Sequence, residues 1–321
     1  MKKSFQKKII LGEPLIPLKS AVNLYSKVIN NNFPNEGSYT KLFEKKISKL
    51  LKVKYVVTCT SGTIAIFLAL KALGVRQQDE VLVPNITFPA TLNAISLSGA
   101  KPILVDVNKD NLLMSVEDIE KKINKKTKVI LPVHVSGRGS NIKKIVEIAK
   151  KKKIAVVEDA AEAFMSTINN KFLGTYGKVG CFSFAPNKII TTGQGGAIVT
   201  NDKSIYKKML RLKDQGRVGP TTGGEDNYIS IGYNFKFTNI QATLGLSQLD
   251  SIAKRVKILK NHYIFYKKNI KENKNFKIIK FDLKKGEVPL WTDVICSKRN
   301  QLFKFLASNK VSFLRNGDVT C

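Results

Sequence analysis

The chain has 321 residues, is 43% hydrophobic and 25% charged, and carries a formal net charge of +31. That makeup is of an ordinary soluble globular protein with room for one large domain and a smaller one. No apolar run reaches the roughly 18 residues that cross a bilayer, and the basic start Met1–Lys8 lacks the apolar core of a signal peptide.

Short apolar runs from residue 54 to about 200 predict buried strands: Tyr55–Thr60, Val81–Pro84, Pro102–Val107, Val129–Val133, Ile154–Glu158, Gly180–Phe184 and Ala197–Thr200. Helical patterns over Thr63–Leu73, Thr91–Leu97, Val116–Ile123 and Ile142–Lys152 separate several of them. Strands with little alternation, interleaved with helices, predict a mostly parallel sheet covered by helices on both faces, an α/β domain. Further on come a helix over Ile205–Lys213, a glycine-rich loop from Gly216 to Gly224, and a helical stretch from Asn239 to Ile270 broken once or twice. Lys277–Phe281 reads as a strand, Pro289–Cys296 as a turn and Asn300–Ala307 as a helix, too few elements for an independent core.

Cys59, Cys181, Cys296 and Cys321 lack paired spacing, which suits reduced thiols in a cytoplasm and argues against a zinc site or disulfide framework. His134 and His262 are the only histidines, so no metal site is expected. The charge invites a nucleic-acid reading. However, the lysines fall on helix faces, as in Lys143-Lys144 and Lys150-Lys151-Lys152-Lys153, and no basic stripe interleaved with aromatics is present. A solvated lysine-rich surface is the expectation, with neither nucleic acid nor membrane as partner.

Ligands of parallel sheets collect at the carboxyl ends of the strands. Lys188 follows one strand and precedes the glycine turn Gly193-Gln194-Gly195-Gly196; Asp159 closes another strand. A lysine held out of water can act as an amine nucleophile. A lysine that forms a Schiff base, with an acid facing a pyridinium nitrogen, is what pyridoxal phosphate asks of a protein. Ser61, Gly62 and Thr63 sit where a helix begins, so backbone N–H groups and hydroxyls can hold an anion there, although an ordinary turn with a Ser or Thr cap also fits. Phe88 can wall a flat ring, or it can be core. Asp159 and Glu162 also have the spacing of a helix capping box. His134 reads as a supporting residue.

Thr60-Ser61-Gly62-Thr63, Phe88, Glu158-Asp159-Ala160-Ala161-Glu162, Ser183-Phe184 with Lys188, the Gly193–Gly196 turn, and Gly232-Tyr233-Asn234-Phe235 followed by Thr238-Asn239-Ile240-Gln241 occur in the order of a known family. From about residue 10 to 315 the chain resembles the DegT/DnrJ/EryC1/StrS aminotransferases, and most closely their perosamine-synthase-like branch.

The resemblance implies the aspartate-aminotransferase-like fold type I of pyridoxal-phosphate enzymes. Residues 1–250 would hold the N-terminal segment and the large domain, and 251–321 a small α/β domain. Pyridoxal 5'-phosphate would be the cofactor, with Lys188 as its Schiff-base lysine and catalytic residue. Asp159 would pair with the ring nitrogen and Phe88 would wall the ring. Ser61, Gly62, Thr63 and Ser183 would hold the phosphate. Asn234 matches a phosphate ligand lent by the other subunit, which implies a homodimer with shared active sites. Glu162, near the phenolic oxygen, stands where the family often has glutamine. The partners implied are a nucleotide sugar, aminated at C4 of a 4-keto-6-deoxyhexose, and glutamate as donor, in cell-surface polysaccharide or lipopolysaccharide biosynthesis. A dehydratase branch has histidine in place of the lysine, so Lys188 favours transamination. Family members continue past the equivalent of Arg315 into a segment that completes the small domain. Here the pattern stops, so an incomplete small domain is expected, and a cofactor-binding but inactive protein is the alternative reading.

Overall fold

A computed structural model describes residue 9 and residues 12–31, 33–139, 141–219 and 227–313. The basic start Met1–Lys8, part of the glycine-rich loop and the stretch from Arg315 onward lie outside the described residues.

Two helices precede the first strand, α1 (Leu18–Asn30) and α2 (Ser38–Leu51), where no element was expected. In α2, Phe43, Ile47 and Leu51 form a buried stripe at helical spacing, and the lysines between them mask it in the sequence. The alternation then runs through β1 (Tyr55–Cys59), α3 (Gly62–Ala72), β2 (Glu80–Pro84), α4 (Pro89–Leu97), β3 (Lys101–Val105), α5 (Val116–Lys122), β4 (Thr127–Ile130), α6 (Ile142–Lys151) and β5 (Ala155–Asp159). A short hairpin, β6 (Thr167–Ile168) and β7 (Lys171–Phe172), leads to β8 (Val179–Ser183), β9 (Gly196–Thr200) and α7 (Lys203–Lys213). The expected strand over residues 129–133 stops at Ile130, because Pro132 has no N–H for the ladder, although Val133 still bridges Asp159.

The main sheet has the order β1-β9-β8-β5-β4-β2-β3. Every pairing is parallel except those of β9, which runs antiparallel to both β1 and β8. Strands β1, β5 and β8 therefore point the same way, and their carboxyl ends share one edge. Helix α3 is apolar all round and buried on nearly every side. Side chains such as Leu68 and Leu70, fully buried, each contribute roughly 1.5–3 kcal/mol relative to exposure.

Beyond α7 the long helical stretch breaks once, into α8 (Asn239–Leu249) and α9 (Ile252–Asn269). The strand expected over 277–281 shrinks to Phe276–Ile278, and the stretch expected as a turn over 289–296 ends in a short strand, Val294–Cys296, that pairs with it antiparallel. Residues 287–293 instead run along the large sheet's loops, with Leu290 N–H donating to Ser136 O and Val288 N–H to Ser166 Oγ. Helix α10 (Arg299–Ser308) follows. Among the described residues of this region, only Tyr263, Ile278 and Phe281 form a separate buried cluster. No helix among the described residues is long and apolar enough to cross a membrane, and no described cluster of acidic, histidine and cysteine side chains could hold a metal ion.

Candidate active site

Three strand ends meet at one edge of the sheet. Cys59, Gly196 and Ser183 lie level across β1, β9 and β8, and Asp159 is level with Cys181 in the next strand. Gly196 is required for this approach, since a Cβ there would lie 2.3 Å from Ser61 O and 2.9 Å from Gly62 N. At Gly62 a Cβ would come within 2.8 Å of Ser183 Cβ and 3.1 Å of its hydroxyl.

Ser61 caps α3, its side chain accepting from Ile64 N–H at 3.2 Å, so the ordinary capping role expected of this turn is present. The cap leaves the N–H groups of Gly62 and Thr63 without a hydrogen bond among the described residues, beside the Ser183 hydroxyl, at the positive end of a helix dipole. Donors so placed have the chemistry that could hold an anion.

No helix begins at Asp159, which overturns the capping-box reading: residues 160–165 form turns, and Asp159 Oδ1 accepts from Ala161 N–H at 3.1 Å instead. Its other oxygen accepts from Thr91 Oγ1 at 2.7 Å. Burial pushes the Asp159 carboxyl above its ordinary value, with the Thr91 and Ala161 donors and Lys188 pulling the other way. Phe88 is the N-cap residue of α4 and is 74% exposed, so it is not core; it precedes Thr91 by one helical turn and stands on the same face.

Lys188 sits on the loop between β8 and β9. That loop folds back on itself through Phe184 N–H to Gly195 O and Thr192 N–H to Phe184 O. Its Nζ lies 3.1 Å from Glu162 Oε1, with the side chains 13% and 23% exposed. Glu162 Oε1 also accepts from Trp291 Nε1 at 3.3 Å, and Oε2 accepts from Ser136 N–H at 2.8 Å. Burial alone would raise the Glu162 carboxyl, but the Lys188 charge and these donors hold it below its ordinary value.

His134 is fully buried, with Nε2 2.8 Å from Glu158 Oε2, a supporting place as expected. Glu158 also accepts from the backbone N–H groups of Gly174, Tyr176 and Gly177. Asn234 is not brought to this cluster within one chain: it bridges Asp214, and Tyr233 and Phe235 on either side pack against Phe67.

A pyridine nitrogen, a phosphate and an aldehyde require a carboxylate, an anion cradle and an amine. The residues present fit all three. Sequence reasoning missed Thr91, Ser136 and Trp291; only Thr91 carried a signal, its one-turn spacing from Phe88.

Sheet order, the single antiparallel strand and a lysine on the β8–β9 loop opposite a buried carboxylate define fold type I of the pyridoxal-phosphate enzymes. The chain belongs to the DegT/DnrJ/EryC1/StrS aminotransferase family, whose sequence profile matches residues 19–315. It is 44% identical over 236 residues to a GDP-perosamine synthase of Escherichia coli O157:H7, covering 74% of this chain and 64% of that protein. It is 32% identical to a dTDP-4-amino-4,6-dideoxy-D-glucose transaminase of Shigella dysenteriae, covering 85% of this chain and 73% of that one. The structure of Helicobacter pylori PseC, an aminotransferase involved in pseudoaminic acid biosynthesis, superposes with a TM-score of 0.86 at 27% identity over 94% of this chain and 81% of its own. The chain spans less than two thirds of the length of the curated GDP-perosamine synthases it matches.

Proposed function

We propose that the chain binds pyridoxal 5'-phosphate at Lys188 and transfers an amino group from glutamate to C4 of a nucleotide-linked 4-keto-6-deoxyhexose, in polysaccharide or lipopolysaccharide biosynthesis. The observation that carries it is the meeting of Lys188, Glu162 and Asp159 beside the Ser61–Thr63 cradle at one sheet edge. Amino sugars in the names of the two curated relatives support the substrate class, and the 4-amino-6-deoxy pattern in one of them supports the carbon.

When bound, the cofactor supplies an electron sink and an amino carrier. Gly62, Thr63, Ser61 and Ser183 would hold its phosphate by N–H and hydroxyl donors. Asp159, anionic and fixed by Thr91, would keep the ring nitrogen protonated. Phe88 would cover a ring face, and Glu162 would lie toward the phenolic oxygen. Lys188 Nζ would take the proton from the donor's Cα and return one at the other end of the transfer.

Asn234 would serve the partner's site in a homodimer. The apolar stripe Leu18, Val22, Tyr25 and Ile29 on α1, with Leu18 73% exposed, supports such an interface. Residues 1–250 would form the cofactor-binding domain and 251–321 part of a smaller one. Free thiols at Cys59, Cys181 and Cys296 agree with a cytoplasmic location.

Absorbance tests the reading. Purified protein should show a yellow band that disappears in Lys188→Ala and bleaches with glutamate. A colourless protein that no added cofactor reconstitutes would sink it.

A further inference from the structure

The carboxylate facing Lys188 is held from two other parts of the chain. Ser136 N–H fixes Glu162 Oε2, while Oε1 receives both Lys188 Nζ and the indole N–H of Trp291. One donor alone leaves the carboxylate plane free, because the terminal torsion of a glutamate is broad. A second donor on the other oxygen sets that plane. The lysine stem is flexible, so the place of its amine depends on where the anion is held.

Trp291, the chain's single tryptophan, is itself locked. Leu290 N–H donates to Ser136 O on one side, and on the other the buried ion pair of Arg138 with Asp293, at 2.7 Å, ties the segment to the same loop. From above, Gly12 closes on the ring: a Cβ there would lie 2.8 Å from Trp291 Cη2 and 3.1 Å from Asn187 Cβ, next to Lys188. Gly12 also has φ +71°, so both the ring and the backbone ask for glycine.

We propose that Trp291 is a positioning residue for Lys188: its indole N–H sets the plane of the Glu162 carboxylate, which in turn holds the lysine amine in place. Its bearing on turnover rests on the cofactor reading above; the contact itself does not.

Trace acetylation of the full cofactor-free chain with acetic anhydride, read by mass spectrometry, reports how free the Lys188 amine is, with exposed Lys109 and Lys125 as internal references. Trp291→Phe should speed Lys188 labelling at neutral pH by about threefold, the lower end of what one net hydrogen bond contributes. Glu162→Gln should also speed it, and the double variant should be no faster than Glu162→Gln alone, because both changes cut one chain of contacts. Gly12→Ala, which keeps the indole but displaces it, should act in the direction of Trp291→Phe and serves if that variant does not fold. Unchanged labelling in Trp291→Phe and Gly12→Ala overturns the proposal. So does an equal acceleration by Trp291→Phe in the Glu162→Gln background, since the indole would then act through packing alone. A failure of the cofactor reading shows separately, as a missing absorbance band.

Discussion

Thr91 Oγ1 donates a 2.7 Å hydrogen bond to Oδ2 of the buried Asp159. Helix α4 thus delivers the group that steadies the carboxylate and, one turn earlier, the exposed ring of Phe88. Thr91→Val keeps the shape and removes the donor. A hydrogen bond to a charged group contributes about 1.5–3 kcal/mol. Thr91→Val should therefore weaken pyridoxal-phosphate binding by about tenfold or more, while Thr91→Ser should restore most of it. Absorbance titration of the two variants measures this.

Asp159 should cost the cofactor-free fold stability. Burial raises its folded value, so the ionised form is penalised above the ordinary carboxylate value, and the penalty fades as pH falls through the raised one. Asp159→Asn should raise the melting temperature of the cofactor-free protein by about 2 °C near pH 8. The gain should shrink in acid, and cofactor affinity should fall at both pH values. Differential scanning fluorimetry at two pH values tests the sign.

Lys213 is the buried cation at the end of α7. Its Nζ lies 2.8 Å from Glu36 Oε1 and 3.7 Å from Glu44 Oε1, and it donates to Thr58 O at 3.2 Å. Burial alone would lower its value, but the Glu44 and Glu36 carboxylates more than offset that and raise it. Its stabilising contribution is therefore complete below the ordinary lysine value of 10.5 and is lost as pH rises through the higher folded one. Lys213→Met leaves two partly buried carboxylates without this counterion and should cost about 3 kcal/mol, the lower end for a buried pair. Urea denaturation should show a larger loss at pH 8 than at pH 5, because the already raised Glu44 can take a proton in acid.

Gly62→Ala should separate binding from folding. Its Cβ would press on Ser183 at 2.8 Å, while alanine favours the first turn of α3. Phosphate-bearing cofactor should bind at least tenfold more weakly, whereas pyridoxal without the phosphate should react with Lys188 at an unchanged rate. Equal losses for both compounds would count against the cradle.

The strands of the large domain were legible because buried parallel strands are short continuous apolar runs, and all seven fall within two residues of their expected starts. Lys188, Asp159 and Ser183 could be assembled from the rule that ligands gather at strand ends. Helix α2 was hidden because lysines crowd its apolar stripe, whereas the stripe of α1, Leu18, Val22, Tyr25 and Ile29, does follow helical spacing and was passed over. Trp291 was hidden for a different reason. It lies more than a hundred residues from Lys188 in the chain, and no periodicity records a contact made by an irregular segment laid across loops. The capping-box spacing of Asp159 and Glu162 misled because both carboxylates are claimed by tertiary donors, which override a local motif.

Strand β9 is the one that runs backwards, and this decides how the lysine is mounted. A parallel neighbour would have required a helical crossover between the two strands. The return strand instead makes the Lys188 segment the tip of a hairpin whose stems stay zipped in register, Ser183 against Gly196. Reach and scaffold are thereby uncoupled. A residue gained or lost between the stems would move Lys188 up or down relative to the turn at Ser61–Thr63 and leave every rung of the sheet below it in place.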